Sequence, residues 1–183
     1  MKHPTVHTTA PITGVCATLL WDEGSFTVSC EVRYPILPSP PESQNSLSTL
    51  LDTRFGIGTP SFVVTAGTLS MLLDQQHRLT GLDFYTNPQR WTVTTSELAD
   101  PTDATPHIET EFDQHGHAED MGPPVVFYEP RHHTLYLSWG PVARWYGIAP
   151  ALAIGVADDN RLTEIRLRGL TLPPRSSKSA DVG

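Results

Sequence analysis

The strongest constraint on this chain is a likeness between two of its own segments, "QQHRLTGLDF" at Gln75–Phe84 and "DDNRLTEIRL" at Asp158–Leu167. Arg161-Leu162-Thr163 follows Arg78-Leu79-Thr80 by 83 positions, and the same spacing lays Leu69 on Leu152, Met71 on Ile154, Leu73 on Val156, Leu82 on Ile165 and Phe84 on Leu167. Those are the alternating inward positions on the two arms of an antiparallel hairpin. Upstream, Trp21-Asp22 lies on Tyr128-Glu129 and Phe26-Thr27-Val28 on His133-Thr134-Leu135 at the larger spacing of 107, so the first copy carries an insertion of 24 residues. Each unit has one apolar face to cover, and two units packed face to face cover both. The expectation is an all-β fold: two similar four-stranded antiparallel units packed as a β-sandwich or flattened barrel of about eight strands, with one short helical insertion.

Segment boundaries follow from composition. Residues 1–14 are polar, with Pro4 and Pro11, and read as a flexible N-terminus. The first β-unit spans 15–86 and contains a Pro-rich insertion, 35–60, with a helical turn or two at Leu47–Phe55 capped by Asn45 or Ser46. Within it "SFTVSCEVRY" alternates cleanly, and Ser61–Asp74 reads as one bent strand with Gly67 at the bend. Residues 87–122, rich in Pro, Asp, Thr and His, read as a linker in which Trp91–Thr95 and His107–Phe112 offer edge strands. The second unit is 123–172, with hairpin turns at Pro130-Arg131 and Asp158–Arg161, and 173–183 is a polar tail. The two units share one core.

The two cysteines are settled by register. A hairpin turning at Asp22–Ser25 sets Trp21 against Phe26 and Cys16 against Glu31, so Cys16 and Cys30 point to opposite faces and a disulfide is disfavoured. No Cys-His spacing of the zinc type occurs.

Net charge is −8 and lysine occurs only at Lys2 and Lys178, so no clustered basic run exists to hold nucleic acid. No apolar run is long enough to span a bilayer and no leader pattern opens the chain, which makes a cytoplasmic, acidic protein with no membrane partner the expectation. Oligomeric state is not legible.

The second unit resembles a small bacterial β-rich domain family of unknown function, whose members open with an aromatic-acidic-Pro turn into a Leu-Tyr strand and close with an acidic-turn-Arg-Leu hairpin. The matching residues are Tyr128-Glu129-Pro130, Leu135-Tyr136 and Asp158-Asp159-Asn160-Arg161-Leu162. The resemblance covers about a quarter of the chain well and the first copy faintly. It implies a β-rich module and no catalytic residue; the long insertion and 87–122 depart from it.

No nucleotide-binding loop, nucleophile elbow or dinucleotide fingerprint is present, and "GIGTPS" at Gly56–Ser61 lacks the strand–loop–helix context of a phosphate cradle. "HGHAED" at His115–Asp120 brings imidazoles and carboxylates together, but its polar setting reads as solvated rather than metal-binding. His132-His133 would face opposite ways in a strand, one packed and one exposed. No metal and no cofactor is expected.

The polar strand faces are the better candidates. Glu31 with Arg33, Asp83 with Tyr85, and Thr134, Tyr136 and Ser138 each share a face, and with Trp91, Trp139, Trp145 and Tyr146 they could line a pocket where the units meet. The plainer alternative is a solvated sheet exterior with the aromatics in the core.

Three functions follow, the last a purely structural or assembly role through exposed sheet edges. The first is a non-catalytic recognition protein, of the immunity or accessory type, that binds an apolar small molecule or a protein complementary to its acidic surface; Trp91, Trp139, Trp145, Tyr146 and Arg33 would be its binding residues. The alternative is a cofactor-independent cyclase, isomerase or lyase acting on an apolar small molecule, with Asp83, Tyr85, Glu31 and Tyr136 moving the proton.

Overall fold

In the computed structural model, residues 3–35, 62–95 and 99–172 are described. The helical insertion at Leu47–Phe55, most of the Pro-rich segment and the tail from 173 lie outside them. The strands are β1 (Thr5–Thr9), β2 (Cys16–Asp22), β3 (Thr27–Arg33), β4 (Phe62–Ala66), β5 (Leu69–Leu73), β6 (Leu79–Tyr85), β7 (Thr92–Val93), β8 (Thr102–Asp103), β9 (Thr105–Glu109), β10 (His117–Met121), β11 (Val125–Glu129), β12 (Thr134–Ser138), β13 (Arg144–Ala149), β14 (Leu152–Val156) and β15 (Leu162–Arg168). A single 3-10 turn, Pro88–Arg90, is the one helical element among the described residues.

The strands form a six-stranded sheet, β10-β4-β5-β6-β3-β2, a seven-stranded sheet, β7-β11-β12-β15-β14-β13-β8, and a two-stranded ribbon, β1-β9. The inward faces of both large sheets contribute to one apolar core, in which Met71, Leu73, Leu82, Leu137, Ile154 and Ile165 are fully buried. The architecture is that of packed sheets and not a closed barrel. The core residues are those picked out by alternation, since a strand buried on one face leaves no other place for them.

Each sheet has five antiparallel strands at its heart rather than four. The order β4-β5-β6-β3-β2 in one is matched by β13-β14-β15-β12-β11 in the other. Turn geometry matches as well. His77 and Asn160 both adopt positive φ, as do Phe26 and His133. Thr86 N donates to Phe26 O and Gly169 N to His133 O; His77 N donates to Asp74 O and Asn160 N to Ala157 O.

The fifth strand of the first unit comes from Ser61–Asp74, which is two strands and not one. Gly67, at φ 63, makes a two-residue turn that pairs Ala66 with Leu69. A positive φ suits a hairpin turn, where glycine is unstrained. Register in the first hairpin also differs from expectation. Trp21 faces Val28 and Cys16 faces Arg33, because Phe26 takes positive φ and stays in the turn while Asp22 accepts hydrogen bonds from Gly24 N (2.9 Å) and Ser25 Oγ (2.7 Å). The shift is two residues, so facing is preserved: Cys30 is buried, Cys16 is exposed, and both are free thiols.

The segments read as a flexible N-terminus and a linker carry strands, of which β7 and β9 fall on the edge strands offered at Trp91–Thr95 and His107–Phe112. Thr5–Thr9 pairs with Thr105–Glu109, Val6 opposite Ile108, and both of those side chains are buried. Val6 N donates to Asn160 O (2.8 Å) and Ile108 N to His77 O (2.8 Å), so each ribbon strand clasps one of the two matched turns. The 87–122 region supplies β7, β8, β9 and β10, of which β7, β8 and β10 add as parallel edge strands. Short edge strands of this kind cover backbone that would otherwise face solvent unpaired. No helix of the described residues is long and apolar enough to cross a membrane.

Candidate functional site

The outward face of the six-stranded sheet carries Glu31, Arg33, Asp83 and Tyr85, all exposed. Arg33 donates from Nε to Glu31 Oε1 (2.9 Å) and from Nη2 to Glu31 Oε2 (3.1 Å), and Ser29 Oγ donates to Asp83 Oδ1 (2.6 Å). The Arg33 guanidinium holds the Glu31 carboxyl below its usual range. These four residues therefore face away from the other large sheet, and neither cavity described below includes them. Tyr136 sits on the other sheet.

The aromatic candidates divide in the same way. Trp91 is buried between Trp21 (5.8 Å between ring centroids) and Tyr128 (5.6 Å), and its indole N–H donates to Thr86 Oγ1 at 2.7 Å. Trp139 donates to Gly122 O at 2.7 Å and, with Tyr146, packs against the apolar core. Trp145 alone joins Tyr136, on the outward face of the seven-stranded sheet.

That face is built by alternation on neighbouring strands. On β15, Ile165 and Leu167 turn into the core, so Glu164, Arg166 and Arg168 turn outward. Register sets Tyr136 opposite Arg166 and Ser138 opposite Glu164, with β14 presenting Ala153 and Gly155 on the far side. Trp145 on β13 lies opposite Gly155. The glycines let neighbouring chain pack closely on this face: a Cβ on Gly155 would meet Val142 Cγ2 at 2.7 Å, and one on Gly147 would meet Pro101 Cγ at 3.3 Å.

Arg166 is the centre of the cluster and only 8% exposed. Its guanidinium carbon lies 4.8 Å from the Trp145 ring centroid, and Nη1 donates to Ala99 O at 2.6 Å. β7 and β8 are at opposite edges of this sheet, and that hydrogen bond places the chain leading into β8 across its outward face. Burial holds the Arg166 pKa below its ordinary value. Tyr136 is 6% exposed with a hydroxyl that has no hydrogen-bond partner, and burial raises its pKa. Glu164 is pushed up to about 7 by burial, against the opposing pull of Arg166 and a Ser138 hydrogen bond.

At one end the cluster opens into a cleft of about 690 Å³. Its walls are the β1–β2 loop, the segment 99–105 and the β13–β14 hairpin, with Arg166 and Arg168 at one side and Asp100 and Asp103 on the segment that crosses the sheet. The volume falls in the range of small-molecule sites. A second, acidic recess of about 540 Å³ lies beside β10, lined by Glu111, Asp113, His117 and Glu119. There Asp113 is occupied in a turn, accepting from His115 N and His117 N, which holds its carboxyl low. Among the described residues no three His, Cys, Asp or Glu side chains converge as a metal would require. His132 and His133 lie in a turn rather than a strand. His132 is within 2.7 Å of Glu129 and His133 within 3.1 Å of the Tyr128 hydroxyl.

Sequence reasoning reached Tyr136, Ser138 and Trp145 and missed Glu164, Arg166 and Arg168. A signal existed: "LTEIRLR" alternates, and the register that turns Tyr136 outward turns these three outward beside it. What no pattern carried is that the chain leading into β8, residues 99–101, crosses that face and reaches Arg166. No protein-family model matches the chain, and no curated protein matches it.

Proposed function

We propose that this chain is a non-catalytic recognition protein that binds a small molecule in the cleft at the end of the seven-stranded sheet. The observation that carries this reading is the cleft itself, about 690 Å³ with a buried guanidinium in its wall. Exposed sheet faces are common and unspecific; a concave site with apolar walls and a few fixed polar groups is what small-molecule recognition needs. The ligand accordingly needs polar character, beyond the apolar one expected from sequence. The same reading takes the two sheets as copies of one unit, supported by their shared strand order and matched turns, with the cleft arising where the second copy gained a covering segment.

A fragment screen by thermal shift tests it, run in parallel on the parent protein and on Ala151→Trp, which fills the cleft from the exposed side of the β13–β14 hairpin. Fragments that raise the parent's midpoint and leave Ala151→Trp unmoved are expected. Hits that stabilise both equally would place binding elsewhere and overturn the proposal.

A further inference from the structure

Arg166 is a buried cation that makes no ion pair among the described residues. Its partners are a neutral carbonyl, Ala99 O, and the face of Trp145. A guanidinium has five N–H donors, and a buried charge is costly unless paired. Asp100 and Glu164 lie near enough to favour the charged form, but neither forms an ion pair with it. Beside it, on the cross-strand neighbour, the buried Tyr136 hydroxyl also lacks a partner.

Arg168 is two residues further along β15, on the same face, exposed, and also in the cleft wall. The remaining lining mixes apolar side chains, Ile12, Val15 and Ile148, with polar ones, Thr13, Tyr34 and Thr105. Asp100 and Asp103 are exposed, so water and salt screen their pull on a ligand, whereas Arg166 acts from a desolvated position. The buried charge therefore decides which sign of ligand the cleft favours.

We infer that the cleft takes a small molecule with an apolar body and a single oxyanionic group, carboxylate or phosphate, docked against Arg166 and Arg168. This rests on the cleft being the binding site. The oxyanion neutralises Arg166 and shares the second guanidinium, and charge-assisted hydrogen bonds of this type are the strong and directional ones. The apolar body lies toward the β1–β2 loop.

The test is a ¹H–¹⁵N titration with phenylacetate and phenyl phosphate, alongside 2-phenylethanol and phenethylamine. The variants are Arg168→Gln, at an exposed residue, and Arg166→Lys, which keeps the charge but loses the planar fork. Both anions are expected to shift the amides of Gly147, Ala149 and Ala151. About a tenfold loss of affinity is expected in Arg168→Gln with the rest of its spectrum unchanged, and a similar loss for 2-phenylethanol on the parent protein. Stronger response to phenyl phosphate than to phenylacetate would assign the oxyanion as phosphate, and the reverse as carboxylate. Phenethylamine binding as tightly as the anions, or anion affinity indifferent to both substitutions, would overturn the inference. If 2-phenylethanol shifts the same amides as strongly as the anions, oxyanion selection fails while the cleft remains the binding site. If none of the four probes binds, the inference fails, and the fragment screen decides the cleft separately.

Discussion

At the scale of single residues, two buried polar groups give measurable consequences. Trp91 N–H is satisfied only through Thr86 Oγ1 in a buried setting, so Thr86→Val strands the donor. A loss of about 1–3 kcal/mol in urea denaturation is expected. Glu164 works in the opposite sense. Its folded pKa, about 7, lies above the unfolded value, so the native state holds more protons and stability falls as pH rises from about 4.5 through 7. Glu164→Gln removes that cost. The variant should match the parent near pH 4.5 and exceed it at pH 8, by on the order of 1 kcal/mol after allowing for solvent screening of a half-exposed group. Denaturation midpoints at the two pH values check this, and a parent-to-variant gap that does not grow with pH would refute it. Lowered carboxyls such as Asp22 and Glu129 contribute the other way. At Glu129, burial pushes the pKa up but is outweighed by the Arg131 and His132 N–H donors and the His132 ring; both groups are common to parent and variant and cancel in the comparison.

At the scale of elements, hairpins were the most legible feature and their details the least. The alternation of Val28, Cys30 and Val32 fixes which face is buried, because a two-residue slip in register leaves facing unchanged. The slip itself depends on one dihedral, that of Phe26, which no hydrophobic pattern encodes. Gly67 was legible as a special backbone position but not as a turn, since a bulge and a two-residue hairpin ask the same of glycine. Its conformation makes Gly67→Ala a sharp test: φ is 63°, and a Cβ would stand 2.8 Å from Pro123 Cβ. A destabilisation above about 1 kcal/mol is expected from thermal or urea unfolding. A neutral result would mean that the β4–β5 turn differs from that described. Of the short strands, β7 and β9 fell on the offered edge strands, whereas β1, β8 and β10 escaped because each is stabilised by what it docks on and not by its own pattern.

For the whole molecule, the all-β architecture of packed sheets was readable from alternating inward positions, which are set locally. The site was not, because it depends on residues 99–101 crossing a sheet whose outward residues would otherwise be ordinary surface. The ribbon that clasps the two turns is also a property of the assembled fold. Val6 and Ile108 face each other at its centre, both buried. Val6→Ala and Ile108→Ala should each destabilise by about 1 kcal/mol or more, and the double variant should depart from additivity by at least 0.5 kcal/mol, as expected for residues in contact. Strict additivity in urea midpoints would separate the two clasps. The most direct measurement of the functional account is a crystal structure of the protein with the fragment that stabilises it most. Density in the cleft, within hydrogen-bonding distance of Arg166 or Arg168 and bounded by the β13–β14 hairpin, is the expected result. Density on the outward face of the six-stranded sheet, among Glu31, Arg33, Asp83 and Tyr85 with the cleft empty, would contradict it.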